Sequence, residues 1–219
     1  MSTALLQTTY FGPIQWYQKL YRYDHCLIEQ YDSYQKQTYR NRCVIATANG
    51  PQALTVPVEG TNEKCLVKDL RISDHNNWRR IHWNALLSAY SESPFFDYYA
   101  DDIHPFFEKK YDFLIDFNEA IRQKVCELLD IHPNVVHSSQ FIVHNYEPQP
   151  AQNNYELCTM NYELIADFRE VINAKHPQAD ADFQPQRYWQ VFEGKHGFQA
   201  NLSILDLLFN MGPESIFYL

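Results

Sequence analysis

The spacing of apolar and polar positions divides the chain into a β-rich first quarter and a helical middle. Ala4 to Tyr10 reads as a short buried strand, and Gly12-Pro13 marks a turn after it. Ile14 to Tyr23 carries apolar residues at helical spacing, with Pro13 suited to the first turn. His25 to Gln30 is strand-like. Arg42 to Ala48 and Gln52 to Val58 are β-rich runs joined by Asn49-Gly50-Pro51, which predicts a hairpin or a longer β-turn. Pro57 places the second run at an edge or near a strand end.

The middle reads as helices. Ser73 or Asp74 can cap one that reaches about Tyr90. Pro94 opens another through FFDYYADDIHPFF, and Asp112 can cap a long one to about Leu129. In the last, Leu114, Phe117, Ile121, Val125 and Leu128 fall on one face. Residues 132–155 read as strands and loops, with HNYEPQPAQNN the most loop-like part. Met160 to Asn173 is expected to be a helix, AKHPQADADFQPQ a loop and Tyr188 to Phe192 a strand. Asn201 to Asn210 predicts a short apolar helix ended by Gly212-Pro213. The pattern is that of an α/β protein: a small N-terminal sheet with a β-hairpin, packed by a helical middle and C-terminal part. At 219 residues, one domain spanning 1–219 is expected.

Composition narrows the function classes. Net charge is -9, which argues against a nucleic-acid binder. No apolar stretch reaches about 18 residues, so no membrane span is expected, and the N-terminus has no signal-peptide pattern. Five scattered cysteines without C-x-x-C spacing fit reduced thiols in a cytoplasmic setting. The histidines lack ligand spacing, so no metal is expected. The six glycines form neither a dinucleotide nor a P-loop motif, so no cofactor is expected either.

Against the acidic total, Ser33 to Pro57 contains no Asp or Glu and carries Lys36, Arg40 and Arg42. A local basic block on an acidic protein suits an anionic ligand, because guanidinium pairs bidentately with phosphate. An edge strand protected by basic residues explains the same block. If Arg40 to Arg42 is extended, the two arginines share a face and Asn41 points away. A second group, Trp78, His82, Leu86 and Tyr90, follows one helix face. There His82 reads first as a core histidine bonded to a backbone carbonyl, with a general base as the functional alternative. In the C-terminal helix, Ser203, Asp206 and Asn210 form a polar line among apolar residues. A carboxylate there should be paired, with Arg40 or Arg42 as partner, or line a pocket.

Several blocks, in order, resemble the WbqC-like protein family: Gln7-Thr8-Thr9-Tyr10-Phe11 with Trp16-Tyr17, then Lys36 to Arg42, then Leu54-Thr55-Val56-Pro57-Val58. Trp78, His82, Tyr90, Pro94, Phe95 and Phe96 continue the likeness, and Gly197 to Ser215 completes it. The chain departs from the pattern in having Thr8 and Gly12 where many members carry proline, and no glycine-rich turn in YELCTMNYELIADF. The resemblance implies a cytoplasmic protein of surface-polysaccharide (O-antigen-type) gene clusters, acting on or near sugar-nucleotide precursors. A transferase or modifying enzyme on such precursors is the leading expectation. In it, Lys36, Arg40, Asn41 and Arg42 hold an anionic small molecule such as a nucleotide sugar, Tyr10 and Tyr90 stack on it, and His82 or Asp206 serves as acid/base. The alternative is a non-catalytic binding or assembly protein. A homo-oligomer is left open.

Overall fold

A computed structural model describes residues 2–59, 65–137 and 165–219. Its centre is a parallel four-stranded sheet. Thr3–Gln7 forms β1, and Ile14–Arg22 forms helix α1, which leads to β2 at His25–Glu29. All five residues of β1 are buried, as expected of a parallel strand covered on both faces. Arg42–Thr47 (β3) and Gly50–Thr55 (β4) form an antiparallel hairpin, and Val58–Glu59 (β5) pairs with Arg71–Ile72 (β6). The hairpin turns at Ala48-Asn49, one residue earlier than Asn49-Gly50 suggests, and Gly50 takes φ +99° as the first residue of β4.

Helices follow: α2 (Trp78–Tyr90), α3 (Phe96–Ile103), α4 (Pro105–Glu108) and α5 (Leu114–Leu128). The short strands β7 (Val135–His137) and β8 (Ile165–Asp167) complete the sheet in the order β7-β2-β1-β8. Glu193–His196 (α6), Ile204–Met211 (α7) and a 3-10 segment at Gly212–Tyr218 close the described chain. The α/β expectation therefore holds, with two of the four parallel strands contributed by later parts of the sequence.

Four local expectations need correction. Residues 165–167 of the expected helix Met160 to Asn173 are strand β8, paired with β1 through Thr3↔Ile165 and Leu5↔Asp167; residues 160–164 lie outside the described set. Tyr188 to Phe192 alternates buried and exposed positions only as far as Gln190 and pairs with no strand among the described residues. Neither Ser73 nor Asp74 caps α2: Asn77 precedes it in a left-handed conformation, and Asp74 instead pairs with Arg79 and Lys110. In the same way Phe113, not Asp112, precedes α5. The segment HNYEPQPAQNN lies outside the described residues.

A continuous core joins the sheet to the helices. It includes Leu6, Tyr10, Trp16, Tyr17, Ile28, Ile45, Tyr90, Phe117, Leu208 and Phe209. Fully burying each large apolar side chain contributes about 1.5–3 kcal/mol. Helix α7 is buried along nearly its whole length. The Ser203 side chain caps it by accepting from the Leu205 amide, and its hydroxyl donates to the Phe11 carbonyl.

Candidate functional site

In an open parallel sheet, ligands bind beyond the carboxyl ends of the strands, where neighbouring connections diverge. Here β1 lies between β2 on one side and β8 on the other. The chain leaving β1 and β2 at this end carries seven buried polar side chains: Gln7, Thr8, Thr9, Glu29, Thr38, Arg40 and Asn41. Burying so many polar groups is costly unless each finds a partner. Three of their atoms have none among the described residues: Gln7 Oε1, Thr9 Oγ1 and Asn41 Oδ1. Gln7 spends its amide nitrogen on the Ile172 carbonyl at 2.6 Å, which ties the exit of β1 to the chain after β8.

Backbone bonds draw these loops together. The Tyr10 amide donates to the Tyr39 carbonyl at 2.9 Å, and the Val56 amide to the Asn41 carbonyl at 2.8 Å. Asn41 returns its side-chain amide to the Val56 carbonyl, and Asn118 from α5 donates to the Arg40 carbonyl, both at 2.8 Å. The base of the β3-β4 hairpin is thereby fixed against the carboxyl edge of the sheet.

The expected basic residues meet different fates there. Arg40 is 2% exposed and reaches Asp32 at 3.3 Å. Asp32 in turn takes Arg169 Nη1 at 3.1 Å, and Arg169 grips Asp167 through Nε and Nη2, the other edge of its guanidinium. Burial works against the charge of Arg40, while Asp32 and Glu170 favour it. Arg42 opens β3 and donates from Nε to the Thr55 hydroxyl at 3.1 Å. Lys36 is exposed. Among the described residues, neither Lys36 nor Arg42 is paired with a carboxylate. Arg40 and Arg42 thus do not share an exposed face; both lie close enough to Tyr34 for their charges to act on its hydroxyl.

Helix α2 runs along the hairpin and separates the remaining candidates. At the hairpin's base, His82 Nδ1 meets the Tyr10 hydroxyl at 2.9 Å, and the ring also bonds the Thr55 carbonyl. The ring proton therefore lies toward Thr55, and Nδ1 accepts from Tyr10. Burial lowers the His82 pKa to about 4, so the ring is neutral near pH 7. Burial also pushes the Tyr10 phenol well up.

Two turns on, about 12 Å along the helix axis, Tyr90 belongs to a separate network. Its hydroxyl accepts from the Ala46 amide at 3.2 Å and donates to Asp206 Oδ1 at 2.8 Å. Asp206 Oδ2 accepts from the Tyr188 hydroxyl at 2.6 Å and from Gln190 Nε2 at 3.0 Å. The expected Arg40 or Arg42 partner is replaced by two phenols and an amide. Burial raises the Asp206 pKa, against the pull of these donors. Tyr188 and Gln190 were not singled out by the sequence; the signal available was their i, i+2 spacing inside an alternating run.

Tyr10, His82, Arg40, Asn41 and Arg42 therefore share one neighbourhood, whereas Tyr90 and Asp206 lie toward the hairpin's turn; Lys36 is exposed, four residues before Arg40 in the chain, and makes no contact that ties it to this group among the described residues. Among the described residues, what the first group offers chemically is a cation without a carboxylate partner at Arg42, unsatisfied acceptors and a neutral buried Tyr–His pair. Among the described residues no set of His, Cys, Asp and Glu could hold a metal ion, and no helix is long and apolar enough to cross a membrane.

The model of the WbqC-like protein family matches residues 7–218. An uncharacterized protein of Mycobacterium tuberculosis (strain ATCC 25618 / H37Rv) is similar at 26% identity over 236 aligned positions, covering 99% of this chain and 96% of the relative. No solved structure matches the chain significantly.

Proposed function

The chain belongs to the WbqC-like protein family, and from that membership we propose that it binds an anionic nucleotide-sugar-type ligand at the carboxyl edge of its parallel sheet and acts as a transferase on surface-polysaccharide precursors in the cytoplasm. The observation that carries this reading is the pairing of opposites at one edge. Lys36 and Arg42, on the segment that also carries Asn41, have no carboxylate partner among the described residues, and Gln7, Thr9 and Asn41 are each buried with a side-chain oxygen unsatisfied among them. A diphosphate satisfies the first pair, and the hydroxyls of a ribose or sugar satisfy the second group. In this reading Asp32 and Asn118 hold Arg40 in place, and Arg40 shapes the loop without gripping the ligand. The Tyr10–His82 pair forms the floor of the site.

Thermal-shift screening with UDP-, GDP-, CMP- and dTDP-sugars tests the reading. At least one should raise the Tm of the wild-type chain and leave that of Lys36→Ala/Arg42→Ala unmoved. Equal shifts in both proteins, or no shift with any of the four, contradict it.

A further inference from the structure

The β3–β4 hairpin uses the outer edges of its two strands differently. The Val56 amide bonds the Asn41 carbonyl, so hydrogen-bonded pairs recur at every second residue, at Cys43–Leu54, Ile45–Gln52 and Thr47–Gly50. The residues between them turn their backbone groups outward. On β3 such groups are engaged: the Val44 carbonyl accepts from the Ser203 amide at 2.8 Å, and the Ala46 amide donates to the Tyr90 hydroxyl at 3.2 Å. On β4 the outward positions are Pro51, Ala53 and Thr55. All three are exposed, and no strand pairs with this edge among the described residues.

The Pro51 carbonyl, the Ala53 amide and carbonyl, and the Thr55 amide have no partner among the described residues. The Thr55 carbonyl already accepts from His82, and Pro51 has no amide hydrogen. Beyond Thr55 the Pro57 carbonyl accepts from the Ser73 amide. Natural edge strands are commonly blunted by charge, yet Gly50–Thr55 carries no charged residue. Pro51 is its only blunting residue.

We propose that this edge pairs with the same edge of a second copy of the chain, antiparallel about a two-fold axis at Ala53. In that register Ala53 faces the partner's Ala53 and exchanges two hydrogen bonds with it, and each Thr55 amide faces the partner's Pro51 carbonyl. The groups that take no part, the proline nitrogen and the Thr55 carbonyl, face each other. Moving the axis to Gln52 or Leu54 halves the number of bonds. The order of donors and acceptors along β4 is therefore complementary to itself, which favours a second copy over an unrelated strand. The joined hairpins form a four-stranded sheet whose two outer strands are β3, already engaged at Val44 and Ala46, so assembly closes at two copies. The inference stands without the nucleotide-sugar reading.

Sedimentation velocity of the full chain, at concentrations up to about 1 mM, tests this. The wild type should pass from monomer to dimer as concentration rises and form nothing larger. Opposed side chains at the axis lie about 5 Å apart, so like charges there repel. Ala53→Lys and Ala53→Glu should each weaken dimerisation at least tenfold, and mixing the two variants should restore it. Ala53 is exposed and its amide carries no bond of the hairpin ladder, so both variants should keep the Tm of the dilute wild type. A wild type that stays monomeric leaves the edge to another protein's strand and overturns the second-copy assignment. Dimerisation of Ala53→Lys at wild-type strength places the interface elsewhere and overturns it as well. Loss in both variants without recovery in the mixture contradicts the Ala53 register, and growth beyond a dimer contradicts the closure.

Discussion

Tyr90 donates a 2.8 Å hydrogen bond to Asp206 across 116 residues of sequence, and the same hydroxyl accepts from the Ala46 amide. One phenol therefore links α2, α7 and β3. Asp206 is fully buried and receives two phenols and one amide, so the bonded network offsets part of the cost of enclosing its charge. Removing one donor leaves the carboxylate short of a partner. Tyr90→Phe and Tyr188→Phe should each lower stability by about 1–3 kcal/mol in urea unfolding. The double variant should cost more than either alone. A loss below measurement error in both single variants would show that the network contributes nothing.

His82 sets a pH dependence. Its pKa falls from the ordinary value near 6.5 to about 4 in the folded chain. Between these values the unfolded state binds the extra proton, so stability rises with pH and is lost as pH falls from 6.5 to about 4. The window corresponds to about 3 kcal/mol. The raised carboxyl of Asp206 works in the other direction, losing stability as pH rises above the unfolded carboxylate value. Comparison with His82→Gln cancels that contribution. The variant should show a flatter stability profile from pH 4 to 6.5, measured by denaturant unfolding; an unchanged slope would contradict the neutral, buried assignment.

Lys19 and Asp180 are both nearly or wholly buried and 2.7 Å apart. Lys19 also lies 4.5 Å from the centre of the Phe168 ring. Lys19→Met leaves the carboxylate without its cation and should cost about 3–5 kcal/mol. Adding Asp180→Leu should recover most of the loss, because an apolar pair replaces a desolvated ionic one. A double variant as unstable as the single one would show that the loop is held by other contacts.

Gly212 ends α7 with φ +57°, and a Cβ built there would lie 2.5 Å from the Phe95 ring. The Phe95 amide bonds the Phe209 carbonyl at 3.0 Å, so its backbone is held close. Gly212→Ala combines a disfavoured backbone with overpacking and should cost at least about 2 kcal/mol. Gly194, with open space around its Cβ position, serves as the control: Gly194→Ala should be within about 0.5 kcal/mol of wild type in thermal unfolding.

The N-terminal strand, α1, the hairpin, the middle helices and the apolar α7 were legible because each repeats its apolar residues at its own period over enough residues to be read. Strand β8 was not. Leu164, Phe168, Val171 and Ile172 fall at helical spacing, while the three strand residues are specified by pairing with Thr3 to Leu5 more than 160 positions earlier. Such long-range pairing leaves no local period. At the candidate site, the acid-free block supplies part of the chain that converges at the carboxyl edge of the sheet. The roles within it were not legible, because the acids that claim Arg40 lie outside the block: Asp32 just before it and Glu170 far along the chain. Asp206 was read as a paired carboxylate, and it is satisfied, but by Tyr188 and Gln190 from an extended segment with no ladder partner among the described residues.

The central claim is that Lys36 and Arg42 grip an anion at the carboxyl edge of the sheet. Isothermal titration of UDP, GDP, CMP and dTMP into the wild-type chain and into Lys36→Ala/Arg42→Ala measures it most directly. One nucleotide should bind the wild type with an affinity that weakens as salt rises, and at least tenfold more weakly in the double variant, a loss of about 1.4 kcal/mol or more. Binding of equal strength in both proteins, or binding of none of the four by the wild type, would contradict the claim.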